Sequence, residues 1–316
     1  MIYLDSAATA LLKPDSVSCA VLEAMRDYAS PGRGGYPAAV EAGRICLRCR
    51  ENLARLFHVP EPDNVVFTMN ATHGLNIAIR SLIRPGSRVV ISGYEHNAVT
   101  RPLNALGAEM LIVDTPLFDR SAFLRDFYKK IRRAEAAVCI HVSNVFGFVL
   151  PLEEIAEQCR ALRKPLIVDA SQSAGVLDLD FDALGAEFAA MPGHKGLLGP
   201  QGTGVLLCRS TAKPLLYGGS GSDSLSQNMP DYLPDRLEAG TQNVSGIAGL
   251  NAGVEYILET GTESIRRKER FLRETMEKSL EGTFGLRLFA AKNTHMQTGV
   301  LSVLPEKGTL DPDTLG

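Results

Sequence analysis

The sequence contains no tryptophan, few aromatic residues and no long hydrophobic run, and its charges almost cancel. Aromatic residues make up 6% of the 316 residues, and the formal net charge is −3. A nearly neutral chain has no electrostatic attraction to nucleic acid or to a membrane surface, so we expect neither as a partner. A membrane-spanning helix needs ~20 consecutive apolar residues. No stretch of the sequence reaches that length, so we expect no membrane segment.

Cysteine is also scarce, and the six cysteines are scattered along the chain. This usage predicts buried thiols in a reducing compartment rather than a disulfide framework. Cys46 and Cys49 have the spacing of half a zinc or redox site, but no second pair and no nearby histidine accompanies them, so we expect no metal site. The first residues lack the basic and apolar regions of a signal peptide. We therefore expect a cytoplasmic protein.

Short apolar runs alternate with amphipathic stretches over the first two thirds of the chain. The runs predict seven strands: Val65–Met69, Arg88–Ser92, Glu109–Val113, Ala136–Val142, Pro165–Asp169, Glu187–Met191 and Thr203–Arg209. The stretches between them predict helices: Thr72–Ile83, Ala98–Leu106, Ser121–Ala134 and Leu152–Arg163. This alternation predicts an α/β fold with a mainly parallel seven-stranded sheet and helices on both faces. Ligands of such sheets bind at the carboxyl ends of the strands.

The pattern changes after the seventh strand. Residues 217–246 are rich in Gly, Ser, Pro and Asn and predict a long functional loop. Two helices (Ile247–Glu259 and Thr262–Glu281), two strands (Leu286–Ala290 and Thr298–Leu304) and a helix start at residues 311–316 follow. We expect a large domain over residues 15–245. Residues 1–14 and 246–316 would form part of a small α/β domain that is incomplete at its C-terminal end.

The strongest chemical signal is Lys195, which follows a predicted strand inside a glycine-dense loop that starts MPGHKG at Met191. Glycines let the backbone approach a ligand closely, and a lysine amine can form a Schiff base with a carbonyl cofactor. A phosphate-binding P-loop is the alternative chemistry, but its GxxxxGK[ST] spacing is absent. An ordinary surface lysine is the structural alternative.

Four other predicted strands end in polar residues. Asp169 could pair with a protonated pyridine nitrogen, or cap a helix. The backbone amides at Ala71 and Thr72 could hold a phosphate, or simply start a helix. His96 could stack on a cofactor ring and move protons, or be a structural histidine. Asn144 could contact a ring hydroxyl, or form a turn. Because the carboxyl ends of parallel strands meet at one edge, we expect all five groups to converge there, which capping alone would not require.

These motifs resemble the class V aminotransferase-like enzymes that use pyridoxal 5′-phosphate (PLP), and most closely the cysteine desulfurase and selenocysteine lyase group. The resemblance covers essentially the whole chain. It rests on YLDSAAT from Tyr3, NAT from Asn70, EHN from Glu95, VSNV from Val142, VDASQ from Val168, GHK from Gly193 and EAGTQN from Glu238. It implies the aspartate-aminotransferase-like fold, known as fold type I. It also implies release of sulfur or selenium from L-cysteine or selenocysteine to give alanine.

The resemblance also implies a role for each site residue. Lys195 would form the Schiff base with PLP and remove the substrate α-proton. Asp169 would pair with the pyridine nitrogen and His96 would stack on the ring, while Gln172 and Asn144 would contact the phenolic oxygen or the substrate. The phosphate would be bound by Ala71, Thr72 and His194, and by Thr241 from the partner subunit of a homodimer. A sulfur-acceptor protein is a further expected partner.

Two departures from the family pattern stand out. Pro192 replaces a serine that often binds the phosphate, and none of the six cysteines occupies the place of the family's nucleophile. That cysteine and the carboxylate-binding arginine would lie beyond Gly316. Arg33 falls near the family's substrate-entrance segment. Two alternatives therefore stay open: another class V reaction, such as that of an aminotransferase, epimerase or lyase, or an inactive truncated homologue that only binds PLP.

Overall fold

The computed structural model describes residues 2–32, 34–222 and 225–306. Arg33 and the helix start predicted at 311–316 lie outside the described residues. The helices in chain order are α1 (Asp15–Asp27), α2 (Pro37–Phe57), α3 (Ala71–Leu82), α4 (Asn97–Ala105), α5 (Arg120–Ile131), α6 (Leu152–Ala161), α7 (Phe181–Leu184), α8 (Val244–Thr260) and α9 (Thr262–Leu280). The described residues contain no helix that is both long and apolar enough to cross a membrane.

A seven-stranded sheet forms the centre of the molecule. Its strands are β1 (Val65–Thr68), β2 (Arg88–Ser92), β3 (Glu109–Val113), β4 (Ala136–Ile140), β5 (Leu166–Asp169), β6 (Phe188–Pro192) and β7 (Gly204–Cys208), in the order β1-β7-β6-β5-β4-β2-β3. The four pairings among β2 to β6 are parallel, and β7 is antiparallel to both β6 and β1. The predicted mainly parallel sheet is confirmed, and β7 alone runs against the other strands.

Two apolar clusters cover the faces of this sheet. One includes Phe123, Phe127 and Phe148, and the other includes Leu75, Ile77 and Leu103. Strands β4, β5, β6 and β7 are buried along their whole length. This burial explains why the sequence shows continuous apolar runs there instead of alternation.

Two elements of the C-terminal part begin at other residues than expected: α8 begins at Val244 instead of Ile247, and the last strand is shifted as well. A hairpin pairs β8 (Leu286–Phe289) with β9 (Ser302–Pro305). The last predicted strand was expected to begin at Thr298, but β9 begins four residues later. The residues just before β9 make other hydrogen bonds. The Thr298 N–H donates to the Gly147 carbonyl at 3.0 Å. The Gln297 side-chain amide donates to the carbonyls of Phe146, Phe289 and Val300.

Candidate active site

The predicted residues surround one cavity of about 150 Å³ at the carboxyl edge of the sheet. Residues that follow β1, β2, β4, β5 and β6 all contribute to it, as the parallel topology requires. Eight of the nine predicted cofactor-binding residues line this cavity: Ala71, Thr72, His96, Asn144, Asp169, Gln172, His194 and Lys195. Its remaining lining residues are Asn70, Ala98, Ile140, Ser171 and Pro192. Thr241, the ninth predicted residue, does not line it.

Lys195 and Asp169 form the electrostatic centre of the site. Burial lowers the pKa of the Lys195 amine, and the negative charge of Asp169 partly offsets that effect. Burial also raises the pKa of Asp169, which is 1% exposed, while hydrogen bonds from Ser171 and the charges of Lys195 and His96 lower it. A lysine with a lowered pKa carries more of its amine in the neutral, nucleophilic form.

One oxygen of Asp169 has a local partner. Asp169 Oδ1 accepts the Ser171 N–H at 2.9 Å, but the next residues form turns and not a regular helix. The carboxyl group therefore anchors a turn, and it faces the same cavity as Lys195. The capping alternative explains this one hydrogen bond but not the burial of the acid beside an amine.

His96 has two functions in the fold. Its Nδ1 accepts the Ala98 N–H at 3.1 Å, so the ring caps the N-terminus of α4. This hydrogen bond requires an unprotonated Nδ1, which leaves Nε2 as the nitrogen that can carry the proton of the neutral ring. Because His96 also lines the cavity, the cap holds its imidazole in place at the edge of the site.

The N-terminus of α3 presents backbone amides to the cavity. Asn70 caps this helix by accepting the His73 N–H at 2.9 Å. Ala71 and Thr72, in its first turn, line the cavity. The first N–H groups of a helix have no partner within the helix and, with the helix dipole, favour an anion.

The segment before α1 crosses the site and contacts two cavity residues. His194 Nδ1 lies 3.0 Å from Thr9 Oγ1, and the Ala10 N–H donates to the His194 carbonyl at 3.0 Å. The Gln172 side-chain amide donates to the Ala7 carbonyl at 2.9 Å. Sequence reasoning recognised this segment only as a family motif, because nothing local indicates partners more than 160 positions away.

Thr241 lies on an exposed loop outside the cavity. The loop begins at Glu238, which is 7% exposed. Glu238 accepts the Phe67 N–H at 2.6 Å and the Arg50 guanidinium at 2.6 Å, and Arg50 also donates to the Val65 carbonyl. Because β1 is an edge strand, this ion pair occupies hydrogen-bonding groups that a neighbouring strand would otherwise take.

A larger cavity of about 480 Å³ lies elsewhere, between α6, the loop before α7 and α9. Arg266, His141 and Asp178 are among its lining residues, and none of the predicted site residues is. Its arginines and carboxylates are balanced in number, and no lysine faces it. We therefore assign the chemistry to the smaller cavity, which contains the converging amine, acid and imidazole. The described residues contain no cluster of His, Cys, Asp and Glu that could hold a metal ion.

The residues around the smaller cavity fit PLP. An aldehyde cofactor needs an amine, its pyridine nitrogen needs a carboxylate and its phosphate needs N–H or O–H donors. Lys195 provides the amine, and Asp169 provides a buried acid. The first turn of α3 and His194 provide the donors. Pro192 lines the cavity but has no hydroxyl that could donate to a phosphate.

The fold and this set of side chains define the PLP-dependent enzymes of fold type I, and comparisons with known proteins agree. The model of the class-V aminotransferase family matches residues 2–310. A "probable cysteine desulfurase" of Methanothermobacter thermautotrophicus is 32% identical over 301 residues, which cover 91% of this chain and 74% of that protein. A second of that name, from Pyrococcus abyssi, is 31% identical and matched over 96% of this chain and 78% of its own.

Solved structures show the same similarity. The apo structure of a cysteine desulfurase from Thermococcus onnurineus superposes with a TM-score of 0.89 at 30% identity, over 99% of this chain and 80% of that one. The cysteine desulfurase CsdA from Escherichia coli gives a TM-score of 0.83 at 26% identity, over 95% of this chain and 78% of that one. The chain belongs to the class-V aminotransferase family, whose members are PLP-dependent enzymes, and within it the chain is cysteine desulfurase-like.

Proposed function

We propose that this protein is a PLP-dependent cysteine desulfurase that removes sulfur from L-cysteine, or selenium from selenocysteine, and leaves alanine. The observation that carries the proposal is the convergence of Lys195, Asp169 and His96 on one cavity at the carboxyl edge of the sheet. The similarity to proteins named cysteine desulfurase supports this choice among class-V reactions.

The side chains have distinct tasks in this proposal. Lys195 would bind the cofactor aldehyde through its ε-amine, and its Nζ would accept the substrate α-proton. Asp169 would accept a hydrogen bond from the protonated pyridine nitrogen, and His96 would lie against the ring. PLP, when bound, acts as an electron sink for the bonds at the substrate α-carbon. The lowered pKa of Lys195 favours both of its tasks.

Phosphate binding involves the α3 N-terminus and His194. Ala71 and Thr72 offer backbone N–H groups, and Thr72 also offers its hydroxyl. Asn144 and Gln172 face the phenolic oxygen or the substrate. None of the residues described around the cavity is a cysteine. We therefore assign no persulfide-forming residue among them.

We propose a homodimer in which Thr241 reaches the phosphate of the partner subunit. Two observations support this arrangement. Thr241 is exposed and does not line the cavity of its own subunit. Met69 and Val145, which flank the cavity residues Asn70 and Asn144, are 54% and 51% exposed. Large apolar side chains exposed at the rim of a site suit coverage by another subunit.

We also propose a sulfur-acceptor partner, a cytoplasmic location and a division of the chain into two domains. The sulfur removed from the substrate passes to a thiol of an acceptor protein. The six free cysteines suit a cytoplasmic location. Residues 15–245 form the large domain, with 1–14 and 246–316 contributing to the small one.

The activity test uses the PLP-loaded chain and L-cysteine with a thiol acceptor. We expect alanine and acceptor-bound sulfur in equal amounts, and none from Lys195→Ala. Lys129→Ala, which removes an exposed lysine of α5, serves as the matched control and should keep full activity. Formation of pyruvate, or consumption of a keto acid without release of sulfur, would instead identify another class-V reaction.

A further inference from the structure

The Glu95 side chain lies where strands β2 and β4 separate. The last paired residues of these strands are Ile91 and Val138. Ile140 lies two residues beyond Val138, so its N–H points to the same side of β4. This N–H donates to Glu95 Oε1 at 2.8 Å instead of to a β2 carbonyl. The carboxyl group therefore continues the hydrogen bonding between the two strands after their backbones diverge.

The same oxygen also holds the turn that leads from β2 to α4. The Ser92 hydroxyl donates to Glu95 Oε1 at 2.6 Å, and the Ser92 N–H approaches it at 3.4 Å. Glu95 Oε1 thus accepts hydrogen bonds from both strands, from Ser92 of β2 and from Ile140 of β4. His96, the next residue, lines the cavity, and so does Ile140. Ile140 is in turn paired with Asp169 in the register of β4 and β5.

The second oxygen of this carboxyl group has a different environment. Glu95 Oε2 is shielded from solvent and has no hydrogen-bond partner among the residues that the structure describes. Asp169, on β5, acts on it with a charge of the same sign, and Cys139, on β4, is a second titratable neighbour. His96, the adjacent residue in the chain, lies at the start of α4. An ionised carboxylate with one buried, unpaired oxygen would be costly here.

We propose that Glu95 is a positioning residue whose neutral carboxyl group bridges β2 and β4 and thereby fixes His96 and Asp169, both of which line the cofactor cavity. The neutral acid keeps Oε1 as the acceptor of all these hydrogen bonds, while Oε2 carries the proton. Burial supports this assignment, because it raises the pKa of Glu95 to about 8. The cofactor-related part of this inference rests on the proposed function.

The raised pKa has a defined consequence for stability. The folded protein retains the Glu95 proton up to about pH 8, whereas a carboxyl at the ordinary value of 4.5 loses it much earlier. The stability contributed by the protonated group is therefore full below about 4.5 and falls as the pH rises towards 8. A residue that has the same shape but cannot ionise would not show this fall.

Glu95→Gln tests the proposal without the cofactor. Thermal unfolding of the apo protein is followed between pH 5 and 9 for the wild type, Glu95→Gln and the control Glu109→Gln, which changes an exposed residue of β3. We expect the melting temperature of Glu95→Gln relative to wild type to rise by several degrees with pH, and that of the control to stay level. A level or falling difference for Glu95→Gln would overturn the neutral-acid assignment.

PLP binding separates positioning from folding. At pH 7 we expect Glu95→Gln to bind PLP within about threefold of wild type, because an amide oxygen accepts the same hydrogen bonds. Glu95→Ala loses them and should bind at least about tenfold more weakly. Equal weakening by Gln and Ala would overturn the proposal. If the wild-type chain itself failed to bind PLP, the proposed function would fail, while the melting data would still decide whether Glu95 is neutral.

Discussion

Burial and mutual attraction act in opposite directions on Lys195 and Asp169. Burial favours the neutral form of each, and the charge of each favours the ionised form of the other. A lone buried carboxylate or ammonium would be disfavoured. A bound cofactor would bring a protonated ring nitrogen to Asp169 and an aldehyde to Lys195. Each buried group would then have a full partner, which the protein alone provides only in part.

Asp169→Asn removes the charge that the pyridine nitrogen needs and keeps the shape of the side chain. We expect PLP still to bind but kcat to fall at least tenfold, because a hydrogen bond to a charged group is worth about 1.5–3 kcal/mol. Steady-state kinetics on PLP-saturated protein measure the effect. Asp178→Asn, outside this cavity, is the matched control. Turnover of Asp169→Asn equal to that of the control would show that this carboxylate does not act on the ring.

The sequence was sufficient for residues whose position follows directly from a strand end. Asp169 and Lys195 belong to this group, because parallel topology brings strand ends together whatever the details of the loops. Thr9 and Glu95 were missed as site-supporting residues. The partner of Thr9 is 185 positions away. The partner of Glu95 is a backbone N–H of β4, and no local sequence pattern shows that β4 separates from β2 at this point.

At the scale of elements, the backbone of the loop after β6 packs closely against neighbouring segments of the chain at its glycines. A Cβ added to Gly196 would lie 2.3 Å from the Ala174 carbonyl oxygen, and one added to Gly193 would lie 2.1 Å from Thr203 Oγ1. Real Cβ atoms do not come so close. The glycine-dense pattern predicted close approach of the backbone to a ligand, whereas Gly193 and Gly196 lie close to other segments of the chain itself. It could not indicate which neighbouring segment would be in contact.

Gly196→Ala should therefore displace the loop that carries Lys195. We expect the free energy of unfolding to fall by about 1–3 kcal/mol, as in other overpacked sites, together with a loss of PLP occupancy. Denaturant unfolding and absorbance of the bound cofactor measure the two effects. Gly219→Ala is the matched control, since its Cβ would meet nothing within 4 Å. Equal stability and occupancy in the two variants would contradict this account of the loop.

The predicted elements that fall on described residues agree with the structure in type, and their ends differ for identifiable reasons. α3 begins at Ala71 instead of Thr72 because Asn70 caps it, and β4 ends at Ile140 instead of Val142. Beyond Ile140, the His141 N–H bonds to Asp169 while the Leu150 N–H bonds back to His141. A hydrophobic run in the sequence does not show which backbone groups will pair with one another in this way.

At the scale of the whole molecule, the proposed homodimer predicts complementation between two differently impaired subunits. Thr241→Val would deprive the partner's site of a phosphate contact, and Lys195→Ala would inactivate its own site. In a heterodimer of the two variants, one site has Lys195 from one subunit and Thr241 from the other and is intact. Differently tagged, co-expressed subunits should therefore recover activity at one of two sites.

The controls for this experiment are the two parent homodimers, of which Lys195→Ala is inactive and Thr241→Val binds PLP weakly. Heterodimers that form but show no more PLP occupancy than the Thr241→Val parent would contradict the shared site. A monomer in sedimentation analysis of the PLP-loaded wild type would contradict the dimer itself.

The central claim is that the Lys195 ε-amine binds the cofactor aldehyde. Borohydride reduction of the PLP-loaded protein, followed by proteolysis and mass spectrometry, tests it directly. We predict a single pyridoxyl label on the peptide that contains Lys195, unchanged in Lys129→Ala and lost in Lys195→Ala. A label on a different residue, or no label on protein that has bound PLP, would contradict the account.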